Sequence, residues 1–354
     1  MDAALAAGGG ETMNAKFVAL SAQDRRLAFE NAAAGLRLSP VVLEKDFWVS
    51  WLLGLLFKEP AWAGQLVFKG GTSLSKVFGV IDRFSEDIDL SLQPAFVGAD
   101  VAGFEALESR IKRDMAMVEM QRLCAEKVYG LLLPTLEAAV TQALGPAMNG
   151  SWLRFVMDAD TKSPVVFFAY PGTQLLGFDY VRQEVKLEFG SLTDQQPTET
   201  HQVLPLLAQS YEDLFADWQC QVLVLALERT FWEKATILHA EFHRPAESVM
   251  PDRYARHYFD MVRLLGHPQA GEMLANDALR ERVVNWKSKV FARSWARYDL
   301  AQRGTFRLVP PEHRQAALAQ DYSRMLPMFM TNPPSFSELM DRLVHAEQAL
   351  NRQV

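Results

Sequence analysis

The chain has 354 residues with 36 Lys and Arg against 43 Asp and Glu, a formal net charge of −7, and 49% of it is hydrophobic. This composition is that of a globular protein, and at roughly 100 to 200 residues per domain the length predicts two domains or one elaborated domain. The negative charge argues against a protein that coats nucleic acid or anionic membranes without specificity, because such binding neutralises many phosphates. Cys124 and Cys220 form no CxxC pair, which excludes a disulfide framework and a zinc ribbon.

The N-terminus, residues 1–20, is expected to be a loose tail. Its first 14 residues are rich in Ala and Gly and lack the cationic start and apolar run of a secretory signal. The longest apolar stretch, residues 47–57, is too short to span a bilayer, which takes about 20 residues. We therefore expect a cytoplasmic protein without a membrane partner.

Residues 21–92 combine helical and strand patterns. Apolar positions at helical spacing predict two helices between residues 21 and 57. Residues 65–70 read as a short buried strand closed by Gly70-Gly71, and residues 72–80 as a helix that begins after that turn. In residues 85–92 apolar and polar positions alternate, which predicts a second strand.

The rest of the chain divides into a helical segment, a group of strands and a long helical part. Residues 100–147 are predicted to form a helical insertion. Further strands are predicted at residues 152–157, 164–170 and 181–189. A polar connection over residues 195–202 is followed by a helix at 228–242, and the chain is then mostly helical. These patterns predict an α+β domain over residues 21–200 and a mainly helical domain over 201–354.

The glycine pair is a candidate phosphate site. Gly70 and Gly71 place a turn without side chains directly before a helix N-terminus, where backbone N–H groups and the helix dipole favour a phosphate. Thr72 and Ser73 are candidates for additional hydroxyl donors. A Gly-Gly turn on its own is more often structural.

Two acids in the next strand are candidate metal ligands. Asp87 and Asp89 lie two residues apart, so both carboxylates leave the same face of the strand. Such a pair suits Mg²⁺, a hard cation that prefers oxygen ligands and shares substrate phosphates. An Asp-x-Asp pair alone is commonly just solvated, but the order strand, Gly-Gly, helix, Asp-x-Asp strand predicts a nucleotide-transfer site.

The amino-acid sequences of these motifs resemble those of a known family. Residues 70–74, Gly-Gly-Thr-Ser-Leu, and residues 83–90, Arg-Phe-Ser-Glu-Asp-Ile-Asp-Leu, are similar to the AbiEii/AbiGii toxin branch of the polymerase β-type nucleotidyltransferase superfamily. Residues 228–239 and 253–260 resemble that family's second block, a Glu-Lys helix followed by an Arg-Asp helix. Residues 44–48, Glu-Lys-Asp-Phe-Trp, resemble its N-terminal helix.

The resemblance implies a polymerase β-like core, a mixed sheet with flanking helices, and a C-terminal helical domain. It implies an enzyme that uses Mg²⁺ to transfer a nucleotide from an NTP and releases pyrophosphate. Its members serve as toxins in toxin–antitoxin and phage-defence (abortive-infection) systems, so a cognate antitoxin is an expected partner. In MenT-like members the acceptor is the tRNA 3′ end.

By the same resemblance, particular residues receive roles. Asp87 and Asp89 would hold the metal, Gly70, Gly71 and Ser73 would cradle the triphosphate, and Lys186 would neutralise phosphate charge. Glu188 lies on the same strand face as Lys186 and fits a third carboxylate by geometry. Whether Glu188 is a metal ligand or a salt-bridge partner of Lys186 stays open.

The helical part supplies further candidates. Lys234 cannot share a helix face with Glu228, six positions away, so it is either a nucleotide-binding residue in the cleft or a solvated lysine. Arg253 and Arg256 suit phosphate or RNA contacts, or a structural pair between Arg256 and Asp260.

Residues 253–314 carry 12 Lys and Arg against 6 Asp and Glu, with aromatic residues interleaved, and this bias favours an RNA acceptor. Trp286 and the other aromatic residues are either stacking surfaces or core. A small-molecule or protein acceptor, and a nucleotide-binding module without turnover, remain alternatives.

Overall fold

The computed structural model describes residues 15–173 and 183–352. Helices and strands alternate along the first two thirds, and the last third is helical. The helices are α1 Ala15–Val18, α2 Ala22–Leu36, α3 Pro40–Lys58, α4 Gly70–Lys76, α5 Pro94–Val97, α6 Val101–Glu105, α7 Arg110–Lys127, α8 Leu133–Leu144, α9 Leu227–Phe242, α10 Ala255–Leu265, α11 Ala270–Ala275, α12 Asp277–Val290, α13 Glu312–Arg324 and α14 Phe336–Asn351. A π-helical turn, Val128–Leu132, joins α7 to α8.

One mixed sheet forms the centre of the described residues. Its seven strands are β1 Leu66–Lys69, β2 Ile88–Leu92, β3 Leu153–Met157, β4 Pro164–Phe168, β5 Val185–Gly190, β6 Thr198–Gln202 and β7 Gln221–Leu225. Their order is β3-β4-β5-β2-β1-β7-β6. The pairs β2–β5 and β1–β7 are parallel and the other neighbouring pairs are antiparallel.

Helices α3 and α8 pack on the sheet, α2 packs on α3, and the three helices contribute to the first hydrophobic core. Pro40 begins α3, where its missing N–H costs nothing, and the helix is apolar on most sides. Trp48 and Trp51 of α3 lie against Phe168 of β4, with ring centroids 6.0 and 5.8 Å apart. This packing fixes α3 behind the strands that carry the acidic residues.

A second core lies in the helical part of the chain. Buried side chains of α9, α10, α13 and α14 join Leu74 of α4 and Val80 and Ile81 just beyond it. Phe78, two residues beyond α4, packs against both cores. Through α4 and the segment that follows it, the sheet and the helical part form one packed unit.

The predicted mixed sheet with flanking helices and a helical C-terminal part is confirmed. The predicted strands at 65–70, 85–92, 152–157 and 164–170 all form, with shortened ends. The strand expected at 181–189 is present as β5, Val185–Gly190. The first two residues of the predicted range, 181 and 182, lie outside the described residues.

The sheet also extends beyond its expected end. The polar connection expected over residues 195–202 contains the edge strand β6, and β7 lies between β6 and β1. The domain boundary predicted at residue 200 therefore falls inside β6. Local patterns missed β7 because a five-residue apolar run has no distinguishing period.

Among the described residues, no helix is both long enough and apolar enough to span a membrane.

Candidate active site

A cavity of about 270 Å³ lies between the sheet and the helical part. Its floor contains the predicted residues Gly70, Gly71, Asp87, Asp89 and Glu188. Lys234 of α9 and Arg256 of α10 stand on its opposite wall. Residues separated by up to 188 positions in sequence, Lys69 and His257, thus share one cavity.

The glycine pair begins α4 directly after β1, and its shape depends on the missing side chains. Gly70 has a φ of +86°, and a Cβ there would lie 2.0 Å from Oδ2 of Asp89. A Cβ on Gly71 would lie 2.8 Å from Nη2 of Arg83 and 2.9 Å from Oγ of Ser85. Both positions exclude larger residues, because these contacts are far inside van der Waals distance.

The hydroxyl groups after the glycines support the turn and do not face the cavity. Thr72 is fully buried, and its Oγ1 donates to the carbonyl oxygen of Asp87 at 2.5 Å. Ser73 is also fully buried and donates to the carbonyl oxygen of Gly70 at 2.9 Å. The expectation that they offer donors to a ligand is therefore corrected: they tie the turn to the acidic strand.

Asp87, which immediately precedes β2, and Asp89 within β2 are both partly buried and repel each other. Asp89 is in register with Lys69 of β1 and with Glu188 of β5, so three charges lie side by side across the sheet. Burial, together with the charges of Asp89 and Glu86, raises the pKa of Asp87 to about 6. Burial is also the main reason why the pKa of Asp89 is raised, against the opposing charge of Lys69.

Lys186 and Glu188 form an ion pair on one face of β5. Burial lowers the pKa of Lys186, but the hydrogen bond and the charge of Glu188 outweigh it and raise that pKa overall. Glu188 also lines the cavity beside Asp89. The position of Glu188 is therefore compatible with both predicted roles, metal ligand and salt-bridge partner of Lys186, and the salt bridge is formed.

Asp260 of α10 joins the helical wall to the segment between α4 and β2, which carries Arg83. It is fully buried and accepts from Nε and Nη2 of Arg83 at 2.7 and 2.8 Å. Lys234 Nζ donates to the same carboxylate at 2.7 Å. Burial alone would raise the pKa of Asp260, but the two cations lower it below its ordinary range. The alternative of an Arg256–Asp260 pair is thus wrong, because Asp260 binds Arg83 and Lys234.

Glu233, one residue before Lys234, was not predicted as a cavity residue. Its carboxylate lies 2.8 Å from Nη2 of Arg229 and 2.9 Å from Nζ of Lys287. These cations outweigh burial and lower the pKa of Glu233 to about 2. Its i, i+4 spacing from Arg229 is the sequence signal for this pair, whereas Lys287 is too far along the chain to be inferred.

The two arginines predicted as RNA contacts occupy different places. Arg256 lines the cavity and adds positive charge next to Asp89. The side chain of Arg253 is exposed and lies outside the cavity lining. Its backbone N–H donates to Oδ1 of Asp321 at 3.0 Å, so Arg253 marks the docking of α10 on α13.

Trp286 is a core residue. It is 6% exposed, packs against Phe104, and donates from its indole nitrogen to the carbonyl oxygen of Leu192. The expectation of a base-stacking surface at Trp286 is therefore replaced by the alternative of a core position. Phe291, 49% exposed, is the aromatic residue of this segment that solvent reaches most.

Charged residues of α3 support the floor from behind. Lys45 Nζ lies 2.8 Å from Oε2 of Glu86, the neighbour of Asp87. Asp46 forms an ion pair with Lys76 at the end of α4 and accepts from the backbone N–H of Leu206 at 2.7 Å. Both α3 residues are buried, so this helix sets the positions of the acidic strand and of α4.

The donor set fits Mg²⁺ in one specific mode. No group of three or more His, Cys, Asp or Glu side chains within residues 15–173 and 183–352 could hold a metal by itself. Mg²⁺ is commonly bound by one or two carboxylates together with substrate phosphates and water. Asp87 and Asp89, with raised pKa values beside a turn free of side chains, match that mode.

A side-chain-free turn, a strand with paired acids and an opposing cationic wall together define a nucleotidyltransferase-type site. The sequence model of the family described as "Nucleotidyl transferase AbiEii toxin, Type IV TA system" matches residues 52–342. The chain belongs to this family of nucleotide-transferring toxins, as its motifs predicted.

No curated protein matches the chain. Among solved structures, it is similar to MenT4, the nucleotidyltransferase toxin Rv2826c from Mycobacterium tuberculosis H37Rv, at 17% identity and a TM-score of 0.42. That comparison covers 93% of this chain and 99% of the other. The assignment to the family rests on the family match and on the motifs of the site.

Proposed function

We propose that this protein is a Mg²⁺-dependent cytoplasmic toxin that transfers a nucleotide from an NTP to an RNA acceptor, with the tRNA 3′ end as the first candidate. The observation that carries this proposal is the pair Asp87 and Asp89 beside the Gly70–Gly71 turn, with Lys234 and Arg256 opposite. Membership of a toxin–antitoxin family also supports a cognate antitoxin as a partner.

Asp87 and Asp89 would hold the metal, and Glu188 is the nearest further carboxylate on the floor. A bound Mg²⁺ supplies charge neutralisation for the phosphates and for the departing pyrophosphate. Metal binding requires both acids to be ionised, and a bound cation would offset the burial and the neighbouring carboxylates that raise their pKa values.

The remaining side chains of the cavity would bind and orient the triphosphate. Gly70 and Gly71 let phosphate oxygens approach the backbone, while Lys69, Lys234 and Arg256 supply positive charge around them. Lys234 is oriented by Asp260, and that acid is itself held by Arg83. In the transfer, the acceptor hydroxyl oxygen forms a bond to the α-phosphorus and loses its proton to solvent, while the bond between the α-phosphorus and the pyrophosphate oxygen breaks.

The experiment incubates the purified protein with each α-labelled NTP, Mg²⁺ and total tRNA. We expect label on RNA with at least one NTP and none when EDTA is present. Label on the protein or on a small molecule in place of RNA would change the acceptor. Absence of transfer under every NTP would overturn the proposal.

A further inference from the structure

An open hollow of about 260 Å³ lies at the seam between the helical insertion and the helical part of the chain. Three guanidinium groups line it: Arg110 at the start of α7, and Arg293 and Arg297 in the segment after α12. Asp299 is the carboxylate in its lining. The hollow therefore carries a net positive charge at neutral pH.

Most cations of residues 253–314 are already held by other groups of the chain. They include Arg263, Arg280, Arg282, Lys287, Arg297, Arg303 and Arg307, paired with carboxylates, and Lys289 and Arg314, which donate to backbone carbonyls. Two residues differ. Within the described ranges, the side chains of Arg256 in the cavity and of Arg293 in the hollow form neither a hydrogen bond nor an ion pair.

The hollow is adjacent to the active-site cavity along α9. His239 Nδ1 accepts from the backbone N–H of Arg307 at 3.1 Å, so Nε2 carries the proton and donates to the carbonyl oxygen of Arg297 at 2.9 Å. Lys234 in the cavity precedes His239 by five residues, a rise of about 7.5 Å along the helix. Tyr298 lines the hollow, and the charge of Glu233 in the cavity contributes to its raised pKa.

We infer that the Arg110–Arg293–Arg297 hollow binds backbone phosphate of the RNA acceptor whose end enters the cavity. Guanidinium groups match phosphate oxygens in a bidentate geometry, and an unpaired Arg293 gives up no partner on binding. Arg110 is held only by Asp114 at 3.9 Å on an exposed face, a pair worth little in water. The exposed ring of Phe291 offers a stacking face for a base nearby. This inference rests on the proposed function and adds the path by which the acceptor arrives.

The test measures binding of a fluorescein-labelled single-stranded RNA of about a dozen nucleotides, without NTP, by anisotropy. Arg293→Glu is compared with Arg293→Lys and with the control Lys112→Glu. Lys112 is exposed and lies two residues from Arg110, about 200° around α7, so it changes the charge equally on another face. Thermal unfolding checks that each variant is folded.

We expect Arg293→Glu to weaken RNA binding about tenfold, Arg293→Lys to weaken it less because the charge is kept but the bidentate geometry is lost, and Lys112→Glu to stay within about twofold of the wild type. The slope of log affinity against log salt should become shallower by about 0.7 for each lost phosphate contact. Equal effects of Arg293→Glu and Lys112→Glu would overturn the inference, and so would a wild-type protein that binds no RNA or that binds an acidic peptide instead.

Because binding is measured without turnover, this test is separate from that of the proposed function. A wild type that transfers nucleotide to RNA but whose acceptor KM is unmoved by Arg293→Glu would refute the phosphate site alone. A wild type without transfer would refute the enzyme assignment, and the anisotropy result would still decide whether the hollow holds RNA.

Discussion

The two sides of the cavity carry buried acids with opposite electrostatic settings. On the sheet, burial and neighbouring carboxylates raise the pKa values of Asp87 and Asp89. On the helices, Glu233 and Asp260 each bind two cations, which lower their pKa values. The same type of functional group is therefore destabilised in its charged form on one side and stabilised on the other.

This difference separates binding groups from structural ones. A carboxylate that already holds two cations has no free charge for a metal, and its removal leaves buried cations without a partner. A buried carboxylate that is repelled by neighbouring carboxylates lowers the stability of the fold when it is ionised. A metal ion bound together with its nucleotide substrate offsets that repulsion. Asp87 and Asp89 are thus the acids that we assign to chemistry, and Asp260 and Glu233 those that hold the wall.

The largest effect is expected for Asp89→Asn. Nucleotide transfer should fall by about a thousandfold or more, since the metal would lose one of its two proposed carboxylate ligands. The free energy of unfolding at pH 7 should be unchanged or higher, because a charge with a raised pKa is removed. Transfer assays and urea unfolding measure the two quantities.

Asp160→Asn, at an exposed aspartate between β3 and β4, is the matched control and should change neither quantity. If Asp89→Asn retained activity, or lost stability as a structural acid would, the distinction between the two sides would fail.

The next effect concerns the helical wall. Asp260→Asn should lower the free energy of unfolding by about 3 to 5 kcal/mol, because Arg83 and Lys234 are left buried without compensation. The control Asp252→Asn, at an exposed position just before α10, should cost no more than about 0.5 kcal/mol. Urea unfolding at pH 7 compares them, and equal stabilities would contradict a structural role for Asp260.

The sequence predicted the floor of the site better than its wall. Gly70, Gly71, Asp87 and Asp89 could be found because local spacing alone places them at a strand–helix turn and on one strand face. The shared strand face of Lys186 and Glu188 in β5 was predicted in the same way.

The wall depends on contacts that no local spacing records. Arg83 and Asp260 are 177 residues apart, and their pairing follows from the docking of α10 against the segment between α4 and β2. The prediction that the Thr72 and Ser73 hydroxyl groups donate to a ligand failed for a related reason. A hydroxyl at the start of a helix can donate to a ligand or to the protein, and the position of β2 determines which acceptor is in reach. The burial of Trp286 likewise required knowing that α6 and α7 cover α12.

A smaller effect is the dependence of stability on pH. Glu233 has a depressed pKa, so its contribution is fully present above its ordinary pKa of 4.5 and is lost as pH falls toward 2. The difference in unfolding free energy between the wild type and Glu233→Gln should therefore shrink by roughly 2 kcal/mol between pH 7 and pH 3. Urea unfolding at both pH values measures it, and a constant difference would show that Glu233 is not held as an anion.

The central claim is that Asp87 and Asp89 hold the metal and that the wall acids do not. Mn²⁺ binding, followed by electron paramagnetic resonance in the presence of each non-hydrolysable NTP analogue, tests it most directly. We predict nucleotide-supported Mn²⁺ binding by the wild type, its loss in Asp89→Asn, and its retention in Glu233→Gln. Mn²⁺ binding of wild-type strength in a folded Asp89→Asn variant would contradict the account.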